Sequence, residues 1–184
     1  SAGYVDAYMG SWSSWYGAIR RINQSLSELK KYGQMSEEDK VRLEAELRFM
    51  RAFMYFDLVK RYKEVIIYDE DLSKITKDKA LNTEAECWNF IQADLEFAGR
   101  ELPERSASKG RLDKGAAWAF LSRTMLYAER WAVVKTAAEE VGALGYGLEK
   151  NYADAYSKSV TAGNNEAIIQ YLFDRAQGVT HSFD

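Results

Sequence analysis

EAELRFMRAFMYFDLVKRY, residues 44–62, is apolar on more than one side when wound as a helix. Leu43, Leu47, Met50 and Met54 recur at helical spacing on one side, and Phe49, Phe53 and Phe56 on another. A helix apolar on two faces is buried between neighbours, so this one belongs in the middle of a multi-helix stack. It also carries Arg48, Arg51, Asp57 and Arg61. Charge is expensive to bury alone, so these groups are expected to find ionic or hydrogen-bonding partners inside the stack. The same reading applies to Arg111, Arg123 and Asn23, with holding an anionic ligand as the alternative for the arginines.

Working outward, the pattern predicts six helices and one late strand. The first runs from about Ser11 to Tyr32, with Trp12, Trp15, Ile19, Ile22, Leu26 and Leu29 in one stripe, and Gly33 ends it. Ser36 with Asp39 opens the second, which continues to about Tyr62. Val65–Tyr68 follows as a short extended piece, then a polar connection through Lys79. Thr83 with Glu86 forms a capping box for a third helix with the stripe Trp88, Ile91, Leu95, Ala98 and Leu102, which Pro103 stops. Asp113 caps a fourth, Lys114 to about Glu129, rich in alanine and apolar nearly all round. A tight break at Glu129-Arg130 leads to a fifth, with Trp131, Val134, Ala138 and Val141, ended by Gly142 and Gly145. A short sixth lies around Tyr152 to Tyr156, and Ala167–Phe173 is the best strand candidate. The fold class expected is all-α, a tetratricopeptide-like stack of paired helices with one or two short strands, over residues 1–184 as a single unit.

Composition narrows the function. The 184 residues are 47% hydrophobic and 14% aromatic, enough for a sizeable core. The 25 basic and 28 acidic residues leave a charge of −3, which argues against nucleic acid as a partner. The lone cysteine, Cys87, excludes an internal disulfide and disfavours a cysteine-ligated metal. No long apolar run is present for a membrane-spanning helix. The chain opens SAGYVDAY, without an initiator Met or an apolar leader region, so a signal peptide is expected to be absent or already lost. The close at HSFD reads as a cut from something longer. No enzyme chemistry is expected: His181 is the single histidine, with no nucleophile motif around it. Glu44 with Glu46 and Glu37 with Glu38 are the usual acidic content near a helix start rather than an acid–base pair. No phosphate-binding glycine loop occurs, and neither a cofactor nor a metal is expected.

Several separated segments, in order, resemble the SusD/RagB family. They are Trp15-Tyr16-Gly17-Ala18-Ile19 with Asn23; Glu46-Leu47-Arg48-Phe49-Met50-Arg51-Ala52 followed by Tyr55-Phe56-Asp57-Leu58; and Gly110-Arg111 followed by AAWAFLSRTMLY. Trp131, Gly145-Tyr146-Gly147-Leu148 with Tyr152, and Asn165-Glu166-Ala167-Ile168-Ile169 continue the match. The chain departs from the family at Lys63-Glu64-Val65-Ile66, where the family has Gly-Gly-Val-Pro, and this loop is expected to be shaped differently. Leu47 is a milder change, standing where the family has Ala.

The resemblance implies a helical scaffold that captures oligosaccharide outside the cell. It implies a surface lipoprotein of the outer membrane in Bacteroidetes, with a SusC-like TonB-dependent transporter as partner. It further implies that this chain is a portion of a larger protein, with the lipid anchor and the irregular C-terminal part outside it. Sugar rings stack their apolar faces on Trp and Tyr. Trp12, Trp15, Trp88 and Trp131 lie on helical stripes and are expected mainly in the core, whereas Tyr4, Tyr8, Tyr68 and the segment from Gln170 to Phe183 lie off them. Tyr8 and Trp12 are the candidate glycan-binding residues. Two other readings remain open: the same scaffold binding peptide or glycopeptide, and a cytoplasmic or periplasmic helical-repeat adaptor.

Overall fold

The computed structural model describes residues 2–76, 78–106, 110–157 and 164–169, with side chains described from Trp12 onward and, at the end of the last helix, up to Tyr156. Among these residues there are six α-helices: α1 (Ala2–Tyr32), α2 (Glu37–Tyr62), α3 (Glu84–Glu101), α4 (Lys114–Tyr127), α5 (Trp131–Ala143) and α6 (Tyr152–Ser157). A single 3-10 turn, Leu72–Lys74, interrupts the connection between α2 and α3. Helices α1 to α5 stack in chain order, each packed on the next. Contacts between the start of α1 and the end of α2, such as Trp12 against Tyr62, show that the neighbours run antiparallel. The all-α, tetratricopeptide-like architecture is therefore the one the helical periodicity predicts.

The helix starts form where side chains can satisfy the free N–H groups of a first turn. The Ser36 hydroxyl accepts from Asp39 N, the Asp113 carboxylate from Ala116 N, and Thr83 and Glu86 close a reciprocal capping box. α1 begins at Ala2 rather than near Ser11, because nothing in its first turns breaks helical backbone and the single Gly10 is tolerated.

α2 is the central rod. Phe49, Tyr55, Phe56, Leu58 and Val59 are buried on it, and Ala45 and Ala52 let neighbours approach closely. Phe120 from α4 packs on Phe49, Phe53 and Phe56 at ring-centroid distances of 5.2–5.5 Å. α3 adds Trp88, Ile91 and Leu95. Gly99 of α3 is needed for the close approach of α4, since a Cβ there would stand 2.5 Å from Cε2 of Trp118.

The two-faced reading of α2 holds in part: Phe49 and Phe56 are buried, and on the other side Met54 packs partly buried against the core. Leu43, Leu47 and Met50 on that side, with Tyr32, Met35 and Leu112, line an open groove of about 620 Å³, and Met50 is 39% exposed. Trp131 corrects a second expectation. It is 63% exposed, because it is the first residue of α5 and follows Glu129, whose φ of 56° turns the chain sharply. A stripe position at a helix end has no neighbouring helix over it.

The expected strands are not formed among the described residues. Ala167–Ile169 is irregular, and the remainder of that candidate, from Gln170, lies outside the described residues, as does His181. At Val65–Tyr68 the ladder reduces to one antiparallel bridge, Val65 with Asn82.

Candidate functional site

The extended segment Ile66–Tyr68 has its backbone held by side chains instead of a partner strand. The Tyr16 hydroxyl accepts from Ile66 N and donates to Ile66 O, both at 2.9 Å. Ile67 N donates to the Asn82 side chain, and Lys79 Nζ donates to Ile67 O at 2.6 Å. Tyr68 N donates to the Tyr55 hydroxyl at 2.7 Å, and Tyr68 O accepts from Asn23 Nδ2 at 2.8 Å. Each N–H and C=O of the three residues thus has a partner, which is what a buried backbone requires. Burial pushes the Tyr16 and Tyr55 hydroxyls well above the usual tyrosine range, so both remain protonated and able to donate.

Behind this segment lies an ionic cluster on α2. Arg51, 2% exposed, forms a fork on Asp94 with its Nε and Nη2 at 2.7 and 2.8 Å. Its Nη1 donates to Asn23 Oδ1 and to Glu70, each at 2.8 Å. Its guanidinium also lies 4.7 Å from the Phe90 ring centroid. Burial works against the Arg51 charge, and its hydrogen bonds to Asp94 and Glu70 outweigh it and raise its pKa. Burial pushes the Asp94 carboxyl up, with the Arg51 fork pulling against it. For Glu70 burial also raises, but hydrogen bonds from Arg51 and Lys30 hold its carboxyl at about 2. Arg48 pairs with Glu44 at 2.6 Å, and Arg111 with Glu46 at 2.6 Å. The partner-seeking reading of Arg48, Arg51, Arg111 and Asn23 is therefore the observed one. Arg123 differs, standing exposed on α4.

With Tyr68 pinned in this way, a cavity of about 470 Å³ opens between α1 and the connector. α1 supplies Trp12, Tyr16, Ile19, Arg20 and Asn23 at helical spacing; the connector supplies Ile66, Tyr68 and Ile75. The Trp12 and Tyr16 ring centroids are 4.9 Å apart, and Tyr68 meets Tyr16 edge-on at 6.0 Å. Trp12 serves two roles, since it also packs edge-on against Tyr62. An aromatic cleft of this size with few polar groups suits a ligand whose apolar face can stack.

Of the two residues singled out from sequence, Trp12 lines the cavity. Tyr8 precedes it by one helical turn on α1, and its side chain, like that of Tyr4, lies outside the described residues. Tyr68, marked as an off-stripe aromatic, lines the opposite wall. Sequence reasoning missed Tyr16 and Arg20. Tyr16 had a signal, its position four residues after Trp12, but its contact with residues fifty positions away had none. Cys87 is buried, with its thiol pushed up by that burial. Among the described residues no cluster of His, Cys, Asp and Glu is built to hold a metal. No described helix is long and apolar enough to cross a membrane.

Comparison with known proteins places these features. The family described as "Starch-binding associating with outer membrane", a SusD-like family, matches residues 2–126. A SusD-like protein of Bacteroides ovatus is 31% identical over 125 residues, covering 66% of this chain and 23% of that protein. The chain thus spans less than a quarter of that relative's length. A laminarin-binding SusD-like protein of known structure superposes with a TM-score of 0.80 at 28% identity, over 91% of this chain and 38% of the other. A structure solved with xylogluco-oligosaccharide gives a TM-score of 0.70 at 26% identity, over 85% of this chain and 33% of the other.

Proposed function

Because this chain belongs to the SusD-like family, we propose that it is the helical scaffold of a surface glycan-binding protein. In this reading the protein captures oligosaccharide at the outer membrane and delivers it to a TonB-dependent transporter. The observation that carries the proposal is the aromatic cavity of about 470 Å³ lined by Trp12, Tyr16 and Tyr68. A pyranose presents an apolar C–H face and a rim of hydroxyls. The indole of Trp12 and the ring of Tyr68 offer surfaces for the first, and Arg20 offers donors for the second. The relatives named above support a carbohydrate as the ligand, and one of them binds laminarin.

The mechanism is binding without covalent chemistry. The cavity walls are set before ligand arrives, because the side-chain ladder on Ile66–Tyr68 fixes the position of Tyr68. That lowers the ordering cost of association. Tyr8 is proposed as a further contact one turn toward the start of α1.

Titration of laminarin- and xyloglucan-derived oligosaccharides into the protein at its natural length tests the reading. Trp12→Ala is expected to weaken binding by roughly tenfold or more, the scale of one lost stacking platform. Unchanged affinity in Trp12→Ala, or no carbohydrate binding at all by the parent, would overturn it.

A further inference from the structure

We propose that the Trp12–Tyr68 cavity takes a sugar unit bearing an anionic group, a carboxylate or a sulfate, received by Arg20. This rests on the glycan reading above and adds the charge class of the ligand.

Among the described residues Arg20 is the charged residue of the cavity lining, and no carboxylate lines it. Among the described residues Arg20 has no ion-pair partner. Arg42, Arg48, Arg51, Arg61 and Arg111 sit on carboxylates, whereas Arg20 shares its unpaired state with the exposed Arg21 and Arg123 but, unlike them, lines the aromatic cavity. The acids closest along the connector are engaged elsewhere. Asp69 and Asp71 pair with Lys74, and Glu70 with Lys30 and Arg51. All three line a separate ionic cavity beside Asp94, away from the aromatic one.

A second positive charge stands against the far wall. Lys79 Nζ is 4.9 Å from the centroid of the Tyr68 ring while it donates to Ile67 O. The other polar groups of the lining are committed inward: Asn23 to Arg51 and Tyr68 O, and the Tyr16 hydroxyl to Ile66. What remains for a ligand among the described residues is an aromatic floor with the Tyr68 hydroxyl and one unneutralised guanidinium. A guanidinium presents parallel N–H donors that match two oxygens of a carboxylate or sulfate, and such charge-assisted pairs are roughly twice as strong as neutral ones. A neutral hydroxyl accepts from the same donors but without the charge-assisted gain.

Calorimetric titration of the protein at its natural length, with three probes, tests this. The probes are an oligogalacturonide, a sulfated galactan oligosaccharide and a neutral laminarin oligosaccharide, each at low and high salt. One anionic probe is expected to bind about tenfold more tightly than the neutral one, with the advantage shrinking at high salt. Arg20→Gln is expected to remove most of that advantage while leaving the unfolding temperature unchanged. Which anionic probe gains identifies carboxylate or sulfate. A neutral probe binding as well as both anionic ones, or an anionic advantage that survives Arg20→Gln, overturns the proposal. If the neutral probe binds as well as both anionic ones and Trp12→Ala abolishes that binding, the glycan reading stands and only the charge class fails. If no probe binds, both fail.

Discussion

Arg51 and Asp94 show how a single buried pair binds four segments together. The fork ties α2 to α3, and the remaining guanidinium donor reaches Asn23 on α1 and Glu70 on the connector. Removing one partner leaves the other charged and stranded in the core. Arg51→Ala or Asp94→Ala is expected to cost roughly 3–5 kcal/mol in urea denaturation. The double change Arg51→Met with Asp94→Leu is expected to recover most of that loss, because an apolar pair leaves no stranded charge. A double variant as unstable as either single one would show that geometry, not charge, sets the cost. Glu70 adds a pH dependence. Its carboxyl is held at about 2, below the ordinary 4.5, so its contribution is present above pH 4.5 and is lost as pH falls toward 2. Glu70→Gln is expected to be less stable near neutral pH and to flatten the acid limb of a stability–pH profile.

At the scale of an element, the junction after α2 carries strain. Lys63 has φ 66° and ψ −71°, and Glu64 N donates to Tyr62 O at 2.8 Å, which closes a three-residue turn of the disfavoured γ form. Such backbone costs about 1–3 kcal/mol for a residue with a side chain. The compensating Lys63–Glu84 pair, at 3.1 Å, is exposed and contributes at most about 1 kcal/mol. Lys63→Gly is therefore expected to raise stability by about 1 kcal/mol in chemical denaturation; a fall would refute the strain argument. The family resemblance places glycine at position 63, and the positive φ of Lys63 is one that glycine adopts without steric cost. The helices themselves were legible: the capping pairs at Ser36 and Thr83, Asp113 before α4 and Pro103 after α3 all act locally, and their geometry is that of the sequence pattern. Val65–Tyr68 was legible as extended but not as strandless. Its partners are two phenols, two amides and an ammonium, from Tyr16, Tyr55, Asn23, Asn82 and Lys79.

For the whole molecule, stability is unevenly distributed along the stack. α2 and α3 are packed on both sides and share the deepest core, whereas among the described residues α6 packs on no other helix. Its Tyr152 and Tyr156 are each 78% exposed. Hydrogen exchange is expected to be slowest in α2 and α3 and fastest in α6; comparable protection of α6 would contradict this gradient. Which segments coil into helices, where α2 to α5 start and stop, and that α2 must be central follow from the order of residues, because caps, breakers and a 3.6-residue period act within a few positions; the start of α1, which no cap marks, did not. The placement of the aromatics did not follow. Trp88 and Trp131 both lie on helical stripes, yet one is 6% exposed and the other 63%, since Trp88 meets Phe56 of α2 while Trp131 opens α5. The cavity is likewise a product of packing. Tyr16 and Tyr68 become opposite walls only when hydrogen bonds across some fifty residues bring α1 against the connector, and no local pattern encodes such a distance.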